Sequence, residues 1–143
     1  FKFICLFRWK MENNISKLKF YIIYYYRMEK TITNIIDECV VLKNSCKAQI
    51  VQASHSPNPK ETMRSLRSCY ETSETCDLLM LMIANRSPCV RSCITFSKNV
   101  FKRCDKECSA LKHNNYCKKT ATYCTNQCKK VNDLLTKFKD NLH

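Results

Sequence analysis

Cysteines recur at intervals of four and seven residues from Cys39 to Cys128. Cys39 and Cys46 are seven apart, as are Cys69 and Cys76. Seven more follow, at Cys89, Cys93, Cys104, Cys108, Cys117, Cys124 and Cys128, in steps of 4, 11, 4, 9, 7 and 4. Every step but the 9 returns a residue to about the same side of an α-helix, which turns roughly 100° per residue. The 9 spans a polar break at Leu111-Lys112-His113-Asn114-Asn115. The spacing therefore predicts helices that each carry thiols along one face.

Composition narrows the fold further. The chain has no glycine, where average usage would give roughly ten. Without glycine, hairpins and left-handed turns are costly, so all-β and βαβ designs are disfavoured and glycine-rich phosphate loops are excluded. The net charge of +13 comes from Lys and Arg scattered singly along the chain. That pattern fits a solvated basic surface. With no recognition helix or stacking platform legible, a nucleic-acid partner is not expected.

Four helices are predicted. The first runs from about Glu29 to Ser54, with Ile32, Ile35, Ile36, Cys39, Leu42, Cys46, Ile50 and Ala53 close to one line and Lys43 at its edge, snorkelling outward. His55-Ser56-Pro57-Asn58-Pro59 breaks it, with Asn58 and Pro59 forming a cap and first-turn pair. The second runs to about Asn85, with Leu66, Cys69, Cys76, Met80 and Ile83 on its interior line. Leu78 to Ala84 is apolar on nearly all sides, which suggests burial by a neighbouring subunit. Ser87 and Pro88 open the third, which carries Cys89, Cys93, Phe96, Val100, Cys104, Cys108 and Leu111 on one side. The fourth, from about His113 to Asn141, carries His113, Cys117, Ala121, Cys124, Cys128, Val131 and Leu135.

Amphipathic helices with short connections imply an all-α fold, an antiparallel up-down-up-down four-helix bundle with a cysteine-lined core over residues 29–143. Residues 1–28 read as an N-terminal extension outside the functional argument. They hold Cys5 and Trp9, and their longest apolar run, Phe20 to Tyr26, is too short to span a bilayer. No secretory signal is legible there, so a cytoplasmic location is expected and membrane association is not.

One or two buried cysteines would need no explanation beyond packing, but eleven inward ones do. Disulfides are one reading, giving a secreted, disulfide-stapled helical interaction protein. Cys-x-x-x-Cys pairs within one helix are poor disulfide partners, because both Cβ atoms lean the same way. Metal binding uses such pairs well: thiolates four apart can grip one ion or bridge two, and soft thiolates select soft ions, above all Cu(I). Each Cu(I) that replaces a thiol proton leaves the interior charge unchanged, so many ions can share one core. Zinc knuckles, redox centres and iron–sulfur sites favour tighter Cys spacings than these, and no Cys-x-x-Cys occurs. Glu-x-x-His motifs for a di-iron site and serine–histidine–acid spacings are likewise missing, so no enzyme is expected.

The order Cys69-x6-Cys76, Leu78-Leu79, Asn85-Arg86-Ser87-Pro88, Cys89-x3-Cys93, Cys104-x3-Cys108, His113, Cys117 and Cys124-x3-Cys128 resembles the cysteine-rich four-helix-bundle copper storage proteins of bacteria. The resemblance covers about Ile35 to Val131. It implies a homo-oligomer, often a tetramer, that holds multiple Cu(I) ions. It also implies that Cys39, Cys46, Cys69, Cys76, Cys89, Cys93, Cys104, Cys108, Cys117, Cys124 and Cys128 are the ligands. His113 would pass copper inward at one mouth of the bundle, with Met63 and His55 as weaker candidates there. The first two helices carry only two cysteines each, fewer than is common in that family. Lys43, Phe96, Val100 and Thr120 lie at or near places where further thiols would fit. A lower capacity, concentrated on the third and fourth helices, is therefore expected.

Overall fold

The computed structural model describes residues 2–142, without the side chains of residues 2–7, 9 and 10. Cys5, Trp9 and His143 thus lie outside the described side chains. The described elements are four helices, α1 (Lys2–Ser54), α2 (Pro59–Ala84), α3 (Val90–Ser109) and α4 (Lys118–Asp140). Two compact units are distinguished, residues 1–33 and residues 34–143. Within the first, helix α1 begins far earlier than Glu29, where its apolar stripe starts. No proline or glycine occurs before Pro57, so nothing in the chain stops the helix. Residues 11–27 are exposed, including Phe20, Tyr21 and Tyr26.

The second unit is a four-helix bundle. Helix α1 meets α4 through Gln127, whose amide donates to the Glu38 carboxylate (2.6 Å) and carbonyl (3.0 Å), and through Lys130, which pairs with Glu38 at 3.0 Å. Thr120 also donates to Gln49 Oε1. Helix α1 meets α2 where Lys43 reaches both Asp77 oxygens at 2.7 Å, so Lys43 snorkels to a partner at the surface. Helices α3 and α4 meet through Asn132 to the Lys98 carbonyl (3.2 Å) and Lys139 to Thr95 (2.6 Å). Between α1 and α4, and between α3 and α4, rising residue numbers on one helix meet falling numbers on the other.

The chain turns without glycine at some cost. After α2, Ser87 N–H donates to the Met82 carbonyl (3.0 Å) and Arg86 N–H to that of Ile83 (3.1 Å), closing the helix end in a Schellman motif. That motif requires a left-handed residue, and Arg86 takes it at φ 49°. A side chain with a Cβ costs roughly 1–2 kcal/mol there. Asn58 and Pro59 do open α2, although the Asn58 side chain makes no capping bond.

Three helix starts and faces differ from the sequence reading. Helix α3 begins at Val90 with Cys89 as its N-cap residue, because Ser87 Oγ accepts from Cys89 N–H (3.1 Å) and holds Ser87–Cys89 in a turn. Helix α4 begins at Lys118, since Asn114 Oδ1 accepts from Tyr116 N–H (2.9 Å) and keeps the His113–Cys117 stretch in turns. On α3 the buried side is Cys93, Ile94, Ser97, Phe101, Cys104 and Cys108. Phe96 is 54% exposed and Val100 half-buried, and with Tyr70 and Leu78 they line a groove between α2 and α3. Phe101, five residues on and about 140° round the helix from Phe96, is the fully buried aromatic of α3 instead.

Candidate metal centre

Each helix delivers one thiol to the middle of the bundle. Cys46 of α1, Cys69 of α2, Cys104 of α3 and Cys124 of α4 have sulfurs that all lie within 4.8 Å of one another. Cys46 and Cys124 are 3.5 Å apart, and Cys69 stands 3.9 Å from both Cys104 and Cys124. Cys108, one turn on from Cys104, lies 3.8 Å from Cys69 and 4.0 Å from Cys104. The quartet and Cys108 are all buried with free thiols. Helical spacing of four and seven keeps successive sulfurs on the seam facing the other three helices, and packing brings one from each helix to the same height.

The packed sulfurs set one another's acidity. Hydrogen bonds from Cys108, then Cys124, Cys128 and Cys46, pull the Cys104 thiol far below its ordinary range, against the effect of burial. Cys124 also ends low. Its bond with Cys104 raises it, but those from Cys108, Cys128 and Cys46 outweigh that. The partners that donate are pushed up, Cys69, Cys46, Cys108 and Cys128 foremost through their bonds with Cys104. A negative charge placed in this core is therefore shared among the packed sulfurs through S–H donors. Thiolates created there have partners, which is what a buried charge needs.

Thiols continue away from the quartet in both directions. Cys76 is pushed up, first by its hydrogen bond with Cys39 and then by burial. Cys93 Sγ lies 3.9 Å from Ser97 Oγ, and burial raises its thiol. At the other end burial raises Cys117, offset in part by the Gln49 amide. That approach falls short of a full hydrogen bond, so Gln49 Nε2 is buried without a partner.

Ten of the eleven thiols expected inside are buried: Cys39, Cys46, Cys69, Cys76, Cys93, Cys104, Cys108, Cys117, Cys124 and Cys128. Cys89 is exposed, because it caps α3 instead of lying on its inner face. His113 is exposed too, since the turn preceding α4 buries Asn114 in its place. Met63 is 53% exposed, and the exposed His55 donates from Nδ1 to the Val51 carbonyl (2.6 Å). The sequence reading missed the buried polar residues between the thiols: Gln49, Thr62, Ser65, Ser68, Thr72, Thr75 and Ser97. Several sit three, four or seven residues from a cysteine, so their register was legible. Their polarity concealed it.

A family model described as copper storage protein matches residues 28–135. The chain belongs to that family. The match spans the whole thiol ladder, from Cys39 to Cys128, and leaves residues 1–27 outside it. Copper storage thus accounts for a core in which cysteines stand where leucine and isoleucine ordinarily would. No curated protein and no solved structure gave a significant match. Among the described residues no helix is long and apolar enough to cross a membrane.

Proposed function

We propose that this copper storage protein is a non-catalytic cytoplasmic buffer that holds many Cu(I) ions on the thiolates of its ten buried cysteines. The observation that carries the reading is the convergence of sulfurs from all four helices within one water-poor core. Soft thiolates prefer Cu(I), and a monovalent ion displacing one proton adds no net charge to that core. The opposed order of residue pairs between neighbouring helices supports the up-down-up-down arrangement, in which the thiols form one continuous column.

Cys89 and His113, both at the surface, would act as docking ligands for ions in transit, not as storage sites. Exposed Leu78, Leu81 and Phe96 support association into a homo-oligomer, a tetramer being the expected form. The test is an anaerobic titration of the reduced protein with Cu(I) against a competing chelator. Loading should approach roughly one ion per buried cysteine. Saturation at one or two equivalents would defeat the reading.

A further inference from the structure

We infer that Cys46, Cys69, Cys104 and Cys124 also form a single preorganised tetrathiolate site for a divalent thiophilic cation of the Zn(II) and Cd(II) class. The geometry points there independently of how much copper the protein stores. A tetrahedral ion with metal–sulfur bonds near 2.3 Å needs its four sulfurs roughly 3.8 Å apart. The quartet supplies separations of 3.5, 3.9 and 3.9 Å for three of its pairs, with every pair inside 4.8 Å. A single monovalent ion in two- or three-coordinate geometry leaves at least one of these sulfurs to other ions, whereas a single divalent tetrahedral ion engages all four. Cys69, Cys104 and Cys108 also lie within 4.0 Å of one another, but they share two sulfurs with the quartet, so the two sets hold one ion between them. The expected occupancy is therefore one divalent ion per chain.

Charge decides whether such an ion is tolerated. Binding releases the four thiol protons to solvent and leaves a centre of net charge −2, which the core must solvate. Cys108 is placed to do so, with its S–H 3.8 Å from Cys69 and 4.0 Å from Cys104. Thr72 lies three residues beyond Cys69 on the same face of α2, is 0% exposed, and its hydroxyl has no partner. An unpaired buried hydroxyl costs free energy in the ion-free protein and is recovered if it turns to a thiolate. Both donors are neutral, so they moderate the charge without cancelling it. Affinity should accordingly rise with pH as thiol protons become easier to displace.

Co(II) is the probe, added anaerobically to the reduced, metal-free full-length chain. The expected result is the intense visible spectrum of tetrahedral cobalt thiolate, saturating at about one equivalent and removed by Zn(II). C46S and C104S should each abolish that spectrum, while C39S and C93S, whose sulfurs lie outside the quartet, should keep it. Far-UV circular dichroism on every variant checks folding, and two independent quartet variants guard against one that fails to fold. A six-coordinate cobalt spectrum in the unmodified chain would overturn the inference, as would growth over many equivalents unchanged by C46S. Cu(I) loading of the same samples keeps the two readings separate. Normal copper capacity without tetrahedral cobalt sinks only the divalent site, and the converse sinks only the store.

Discussion

Two threonines on α2 offer a sharp test of the interior, because they are nearly alike and should respond with opposite sign. Thr72 is 0% exposed and its Oγ1 makes no hydrogen bond. Thr75, also buried, donates to the Glu71 carbonyl at 2.7 Å. Valine has nearly the same shape as threonine and a similar helix propensity, so the exchange isolates the hydroxyl. Removing an unsatisfied buried hydroxyl relieves about 1–3 kcal/mol, and T72V should stabilise the metal-free protein by the lower part of that range. T75V instead loses a satisfied bond, for a cost of about 0.5–1.5 kcal/mol. The two variants should thus differ by about 2 kcal/mol, or roughly 6–9 °C in melting temperature for a domain of this size. Urea unfolding of reduced, metal-free protein followed by circular dichroism measures this, provided the m-values agree. If T72V is destabilised as much as T75V, the Thr72 hydroxyl has a partner, and the polar stripe beside the thiols is satisfied.

Three further outcomes follow from the same core. Replacing the fully buried Phe101 by alanine should cost about 3–5 kcal/mol in urea unfolding while leaving the cysteine count, and so the Cu(I) capacity, unchanged. In a C5S background under native, reducing-agent-free conditions, a thiol reagent should label exposed Cys89 rapidly and the ten buried cysteines slowly; uniform fast labelling would contradict the closed core. Glu38 is held below its ordinary value of 4.5, first by the Gln127 amide and then by Lys130. Because its folded pKa is depressed, its contribution is complete above the unfolded value and is lost as pH falls through the folded one. The urea midpoint should therefore drop in acid below about pH 4.5, and E38Q should flatten that drop.

Most of the bundle was legible because one residue type marked its inner seam. Cysteine spacing located all four thiol-bearing faces, and Ala121, Val131 and Leu135 of α4 are buried where the four- and seven-residue steps put them. What escaped were positions at which local hydrogen bonds outrank periodicity. Ser87 and Asn114 hold short turns that end the helical register, which leaves Cys89 and His113 at the surface. Phe96 was assigned to the core on hydrophobicity, although Phe101 has the better register with Cys104 and Cys108.

By itself the sequence determined that this protein is helical and that its helices turn thiols inward, a pattern suited to soft metal ions. Periodicity and ligand softness are properties of the residues alone. Only the tertiary structure decided which sulfurs meet. Intervals of four and seven order thiols along one helix but say nothing of the height at which a neighbouring helix presents its own. Packing fixed that height, bringing Cys46, Cys69, Cys104 and Cys124 from four separate helices to one point. The convergent set of four that no Cys-x-x-Cys knuckle supplies is built across the bundle instead.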